Sequence, residues 1–113
     1  MNGSEKQIKW ADEIKAGKAE QFATLRSKVI SPIGTKALDF IESLDSASYW
    51  IDNKDRSPME MLTSLLRGGL SIKGNQHSDK ATMDQATGTI TIASKAIVQD
   101  GKGGHYETTT RTI

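Results

Sequence analysis

The chain has 113 residues, which suits one domain and leaves too little length for two. Its 15 basic and 14 acidic residues give a net charge of +1, so overall charge does not draw it toward nucleic acid or an anionic membrane. It has no cysteine, which excludes disulfides, thiolate metal sites and cysteine nucleophiles. Apolar residues are only 35% of the chain and aromatic residues 5%, so we expect a thin core that homo-oligomerisation would help.

The first thirty residues predict one long helix. Ser4 and Gln7 form an S-x-x-Q capping box. Apolar residues then recur at helical spacing, at Ile8, Ala11, Ile14, Ala19, Phe22, Leu25 and Val29. Lysines alternate with acidic residues, which indicates a solvated helix face; they are Lys6, Lys9, Lys15 and Lys18. Gly17 predicts a weak point, and Pro32 with Gly34 is expected to end the helix.

Three further helical segments are expected before residue 70. One starts near Thr35, and a short one covers Ser46–Lys54. The last is the best marked, because Ser57 and Glu60 form an S-x-x-E capping box around Pro58. A glycine pair at 68–69 supplies its stop.

The remainder of the chain predicts β-structure. Leu70–Lys73 is a short strand, and the polar segment Gly74–Lys80 is expected to be a loop. From Gly88 onward, apolar residues recur at every second position, which is the spacing of a strand. The D-G-K-G-G sequence at Asp100–Gly104 predicts a hairpin turn before the strand His105–Ile113. The expected fold is therefore α+β: one domain with three or four N-terminal helices (4–69) and a small antiparallel sheet (70–113) built on a C-terminal β-hairpin.

Catalytic motifs and metal-ligand spacings are missing from the sequence. His77 and His105 lie in separate segments without a second ligand at helical spacing. There is no G-x-S-x-G motif, and D-G-K-G-G joins two strands rather than a strand and a helix, which argues against a P-loop. We therefore predict no catalytic residue, no metal and no cofactor, and we do not expect an enzyme.

Two sets of residues are candidates for binding. Tyr49 and Trp50 either fill the core together with Trp10 or leave one side exposed as an aromatic anchor for a partner. On the hairpin, four charged or titratable residues are candidates for contacting an anion: Lys95, Lys102, His105 and Arg111. An ordinary solvated strand is the plainer interpretation of the hairpin.

The N-terminal segment Met1–Trp10 is polar and does not resemble a signal peptide, and no apolar run is long enough to cross a membrane. The expected location is the cytoplasm, without a membrane partner. For a phage-encoded protein that cytoplasm is the host's.

Two segments carry a resemblance to known sequences. K-Q-I-K-W-A-D-E-I opens the first helix, within Ser4–Lys15, and W-I-D-N-K lies within Ser46–Asp55. Here the chain resembles small, mostly uncharacterised proteins of phages and mobile elements of Gram-positive bacteria, which share a K-Q-I-x-W-A-x-x-I helix and a W-I-D-N-[RK] segment. The resemblance covers about a fifth of the chain. It implies that the gene lies among accessory genes, some of which antagonise host defence.

Three hypotheses follow for function. The first is a non-enzymatic, phage-encoded interaction protein that inhibits a bacterial defence system by binding a protein component, as an anti-CRISPR does. The second is a nucleic-acid-binding accessory protein, which requires a local basic face. The third is a sponge for a cyclic nucleotide or similar signal, held by Arg111 and its neighbours on the hairpin.

Overall fold

The computed structural model describes residues 2–73, 77–98, 101 and 103–113. Four helices come first, followed by four strands. The helices are α1 (Glu5–Lys28), α2 (Pro32–Glu42), α3 (Ala47–Asp52) and α4 (Pro58–Arg67). The strands are β1 (Leu70–Lys73), β2 (His77–Met83), β3 (Ile90–Val98) and β4 (His105–Thr112). They form one antiparallel sheet in the order β1-β2-β3-β4, which confirms the predicted α+β fold class.

Both predicted capping boxes are present. In α1 the Ser4 side chain accepts from the Gln7 N–H while the Gln7 side chain accepts from the Ser4 N–H, and Ser57 and Glu60 do the same in α4. Each box satisfies backbone donors that the first helical turn leaves without a partner.

The start of α2 differs from the prediction. Pro32 opens this helix rather than closing the previous one, and Ser31 caps it by accepting from the Gly34 N–H. Proline fits the first turn of a helix because its φ is already helical and its missing N–H would have no partner there.

The predicted loop over Gly74–Lys80 is also wrong for its second half. Residues 77–80 belong to β2, a central strand that pairs with β1 and β3. Its polar side chains misled the prediction: Ser78 and Lys80 lie on the face of the sheet that points away from the helices, where polar residues are expected. The first half, Gly74–Gln76, lies outside the described residues.

One hydrophobic cluster contains residues from all four helices and from β1, β2 and β3. The helices cover one end of the sheet, where Leu70, Ala81 and Ile90 are buried. Every residue of β4 is exposed, so this strand is ordered mainly by its pairing with β3. The hairpin thus reaches beyond the helical layer.

One lysine of α1 belongs to the interior. Lys18 is only 8% exposed, and its Nζ donates to the carbonyl oxygens of Lys54 (2.9 Å) and Arg56 (2.5 Å). The prediction of a solvated Lys18 is therefore wrong, because the aliphatic stem packs inward while the ammonium group donates to two carbonyl oxygens beyond α3.

Ala19 was expected in the buried stripe of α1, but its side chain is exposed.

Candidate binding surface

The aromatic pair of α3 does not form a surface. Tyr49 is 1% exposed and Trp50 is fully buried, so the expectation of an exposed anchor here is wrong. The Trp50 ring meets Tyr49 and Phe22 edge to face at centroid distances of 5.5 and 6.2 Å, and its Nε1 donates to the Leu44 carbonyl. Edge-to-face packing and a satisfied indole N–H are typical of a core position.

Trp10, in contrast to Trp50, is not buried. Its side chain is 47% exposed on α1, so it does not join Trp50 in the interior. Of the two alternatives that the sequence left open, packing in the core is therefore confirmed for Tyr49 and Trp50 and is wrong for Trp10.

The sheet has one face without carboxylates, which we call the outer face. Pairing register places alternate residues of each strand on it, pointing away from the helices. Its described residues are Ser71, Lys73, Ser78, Lys80, Thr82, Thr91, Ala93, Lys95, Ile97, Tyr106, Thr108, Thr110 and Thr112. None of them is buried. Three are lysines and none is acidic, so the face is basic although the chain is nearly neutral.

Two large apolar side chains lie on this face near the tip of the hairpin. Ile97 and Tyr106 stand directly opposite each other on β3 and β4 and are 44% and 63% exposed. Lys95 places its Nζ 4.7 Å from the centre of the Tyr106 ring, which is a cation–π contact. An exposed aromatic group next to an aliphatic one, with polar residues around them, has the composition of an interface hot spot.

The structure separates the four hairpin candidates. Lys95 lies on the outer face, whereas Arg111 pairs with Ile92 and His105 with Val98 on the opposite, helix-facing side. The His105 Nε2 lies 3.1 Å from a Glu107 carboxylate oxygen. Lys102 lies outside the described residues. Lys95 and Arg111 therefore do not converge on one ligand from one face of the sheet.

Tyr106 and Ile97 were missed in the sequence. The signal that identifies them is the strand register: once the hairpin turn is placed, alternation puts Ile97 on the same face as Lys95 and opposite Tyr106. The turn prediction agrees with the positive φ angles of Gly101, Gly103 and Gly104, although Asp100 and Lys102 lie outside the described residues.

The other described parts of the protein give weaker evidence of a binding site. They contain no group of three or more His, Asp or Glu side chains able to hold a metal ion. A shallow groove of about 450 Å³ runs between α1 and α4, where Glu20 and Lys28 lie beside the exposed Met59. In the part of the chain that the structure describes, no helix has the length and apolar character needed to cross a membrane.

Comparison with protein families, with curated proteins and with solved structures found no match to this chain. The class that the fold defines is a small α+β protein with a four-stranded antiparallel sheet at its C-terminal end.

Proposed function

We propose that this chain is a non-enzymatic interaction protein that docks onto a partner protein through the outer face of its sheet. The observation that carries this proposal is the exposed Ile97–Tyr106 pair on a face without carboxylates. Burying these two side chains in a partner would remove apolar surface from water, and lysines and threonines around them would form a polar rim. The three lysines favour an acidic surface on the partner.

The narrower form of the proposal comes from the resemblance at the two helical motifs. In that form the chain is phage-encoded and the partner is a component of a bacterial defence system, which the bound protein inhibits. Blocking such a component requires a stable surface and no catalytic group.

A pair of matched double variants tests the docking surface. Ile97→Thr with Tyr106→Thr removes the anchor while keeping residues that favour strands. Ile30→Thr with Trp10→Thr makes the same kind of change at exposed positions away from the sheet. Partners captured from a Gram-positive lysate by the unaltered chain would be identified, purified and titrated against all three proteins.

We expect the anchor variant to lose at least about thirtyfold in affinity, which corresponds to about 2 kcal/mol, and the control variant to bind as before. Equal affinities of the anchor variant and the unaltered chain would contradict the docking surface. The narrower form is tested by expressing each protein in a bacterium with an active defence system. The unaltered chain and the control variant should allow phage to form plaques on this bacterium. Absence of plaques across a panel of defence systems would overturn this form.

The basic outer face also favours nucleic-acid binding as a second candidate function. Lys73, Lys80 and Lys95 limit this face to about three phosphate contacts, for which log K should fall with log salt at a slope of about −2.7 on duplex DNA. A salt titration with labelled DNA and RNA measures this slope. Replacing all three lysines by glutamine should abolish binding, and absence of binding at low salt would remove this candidate.

A further inference from the structure

The two edges of the sheet differ in how they are protected. At one edge, β1 has only four residues, and the Ser48 hydroxyl donates to the carbonyl oxygen of its last residue, Lys73. At the other edge, β4 has eight residues, all exposed, in continuous register with β3. β4 contains no proline, lysine or bulge, three of the devices with which proteins keep an edge from pairing, and its two charged residues, Glu107 and Arg111, have opposite signs.

The direction of the backbone groups of β4 follows from its last hydrogen bonds. Ile113 and Ile90 exchange two bonds, of 2.9 and 3.0 Å, so this pair is of the hydrogen-bonded type. Because the two types alternate along an antiparallel ladder, odd-numbered residues of β4 direct their N–H and C=O groups to β3. The backbone N–H and C=O groups of the even-numbered residues, from Tyr106 to Thr112, point to the open edge.

The sequence of β4 is complementary to itself when a second copy runs antiparallel. With Thr109 opposite Thr109 of the second copy, Glu107 stands opposite Arg111 on both sides of the two-fold axis. Thr108 then stands opposite Thr110, which places two edge-facing residues together as a hydrogen-bonded pair. Glu107 and Arg111 form the other type of pair, in which side chains lie closer together.

We propose that β4 pairs with β4 of a second copy of this chain, in the antiparallel register centred on Thr109, to form a continuous eight-stranded sheet. Four hydrogen-bonded residue pairs between Tyr106 and Thr112 satisfy the open backbone groups, and two symmetric Glu107–Arg111 ion pairs select the register. The next register that keeps edge-facing residues opposite each other slides the strands by two residues, and when centred on Thr108 it places His105 opposite Arg111 and Glu107 opposite Thr109 and loses both attractions. The proposal does not rest on the outer-face function, because it uses the edge backbone and side chains of the other face.

Charge reversal tests the register. Glu107→Arg and Arg111→Glu each turn two attractions into repulsions, so we expect each to weaken the dimer at least about tenfold in sedimentation equilibrium. An equimolar mixture of the two variants restores both ion pairs in a heterodimer, as does the doubly exchanged protein. Recovery of the dimer in both cases supports the proposal. A chain that stays monomeric up to millimolar concentration, or a dimer insensitive to both reversals, would overturn it.

A cysteine reporter tests the same register without altering charge, since the chain has no cysteine of its own. Thr109→Cys places two sulfurs opposite each other in a pair whose Cα atoms are about 4.5 Å apart, within disulfide range. Thr110→Cys is the matched control, because its two copies are offset along the strands and about 8 Å apart. We expect rapid oxidation to a covalent dimer for Thr109→Cys only. Equal oxidation rates for the two variants would contradict the register.

Discussion

Replacing Tyr49 by phenylalanine is expected to stabilise the protein. The side chain is 1% exposed, and its hydroxyl has no hydrogen-bond partner among the described residues. A buried hydroxyl in this position loses its bonds to water and gains none in return, at a cost of about 1–3 kcal/mol. Phenylalanine keeps the ring and its edge-to-face contact with Trp50. We therefore expect the free energy of unfolding at pH 7 to rise by about 1 kcal/mol, after allowance for the small space left by the oxygen.

The gain should increase at alkaline pH. Burial raises the pKa of the Tyr49 hydroxyl well above its usual value near 10, an effect that the nearby Arg56 only partly offsets. Above pH 10 the unfolded chain releases the tyrosine proton while the folded chain keeps it, so the stability of the unaltered protein falls as pH rises. The Tyr49 contribution to this loss has a slope of up to about 1.4 kcal/mol per pH unit, and phenylalanine removes it.

Urea unfolding at pH 7 and pH 11 measures both effects, with Tyr106→Phe as the control. Tyr106 is 63% exposed, so its replacement should change stability by less than about 0.5 kcal/mol. A lower stability of Tyr49→Phe at pH 7 would mean that the hydroxyl is well bonded and would refute this prediction. An equal loss of stability in both variants between the two pH values would refute the predicted pH dependence.

Three further substitutions test the local geometry by the same unfolding measurement. Lys18→Met keeps the buried stem but leaves the carbonyls of Lys54 and Arg56 without their donor, so we expect a loss of about 2 kcal/mol; an unchanged protein would mean that water replaces the ammonium group. Gly17→Ala should add about 1 kcal/mol, because no described atom beyond the adjoining helix backbone lies within 4 Å of the added methyl group and alanine favours helices; a loss would indicate a hidden contact. Gly69→Ala should instead cost about 1–3 kcal/mol, since its φ is +95° and the methyl group would lie 3.0 Å from a backbone oxygen; tolerance would show that this turn can relax.

The helices were predictable where the signal is local. Capping boxes at Ser4 and Ser57 involve residues three positions apart, so the sequence alone locates those helix starts. Pro32 misled the prediction because proline both ends helices and begins them, and only the Ser31 cap decides between the two. The strand β2 was missed because a polar central strand is recognised by the partners on its two sides, which are distant in sequence.

The candidate surface could be predicted only in part, for a related reason. Tyr49 and Trp50 were candidates because aromatic residues dominate both cores and interfaces, and composition does not separate the two. Burial of this pair depends on α1 folding back over α3, where Phe22 meets Trp50. Lys95 was identified correctly as a hairpin residue, but the separation of Lys95 from Arg111 requires the register. The carboxylate-free face is likewise a property of four strands together.

Hydrogen exchange of β4 distinguishes the two proposed contacts of the hairpin. In a single copy, the amides of Glu107, Thr109 and Arg111 donate to β3 and should exchange slowly, whereas those of Thr108 and Thr110 face the open edge and should exchange fast. Pairing with a second copy engages these two edge amides directly, so raising the protein concentration should protect both of them selectively. A partner protein on the outer face contacts side chains and leaves the edge amides unbonded. It would therefore slow the exchange of all β4 amides together, by stabilising the hairpin. Fast exchange of Thr108 and Thr110 at every concentration would contradict the β4 dimer and leave the outer-face proposal standing, because that surface belongs to each copy separately.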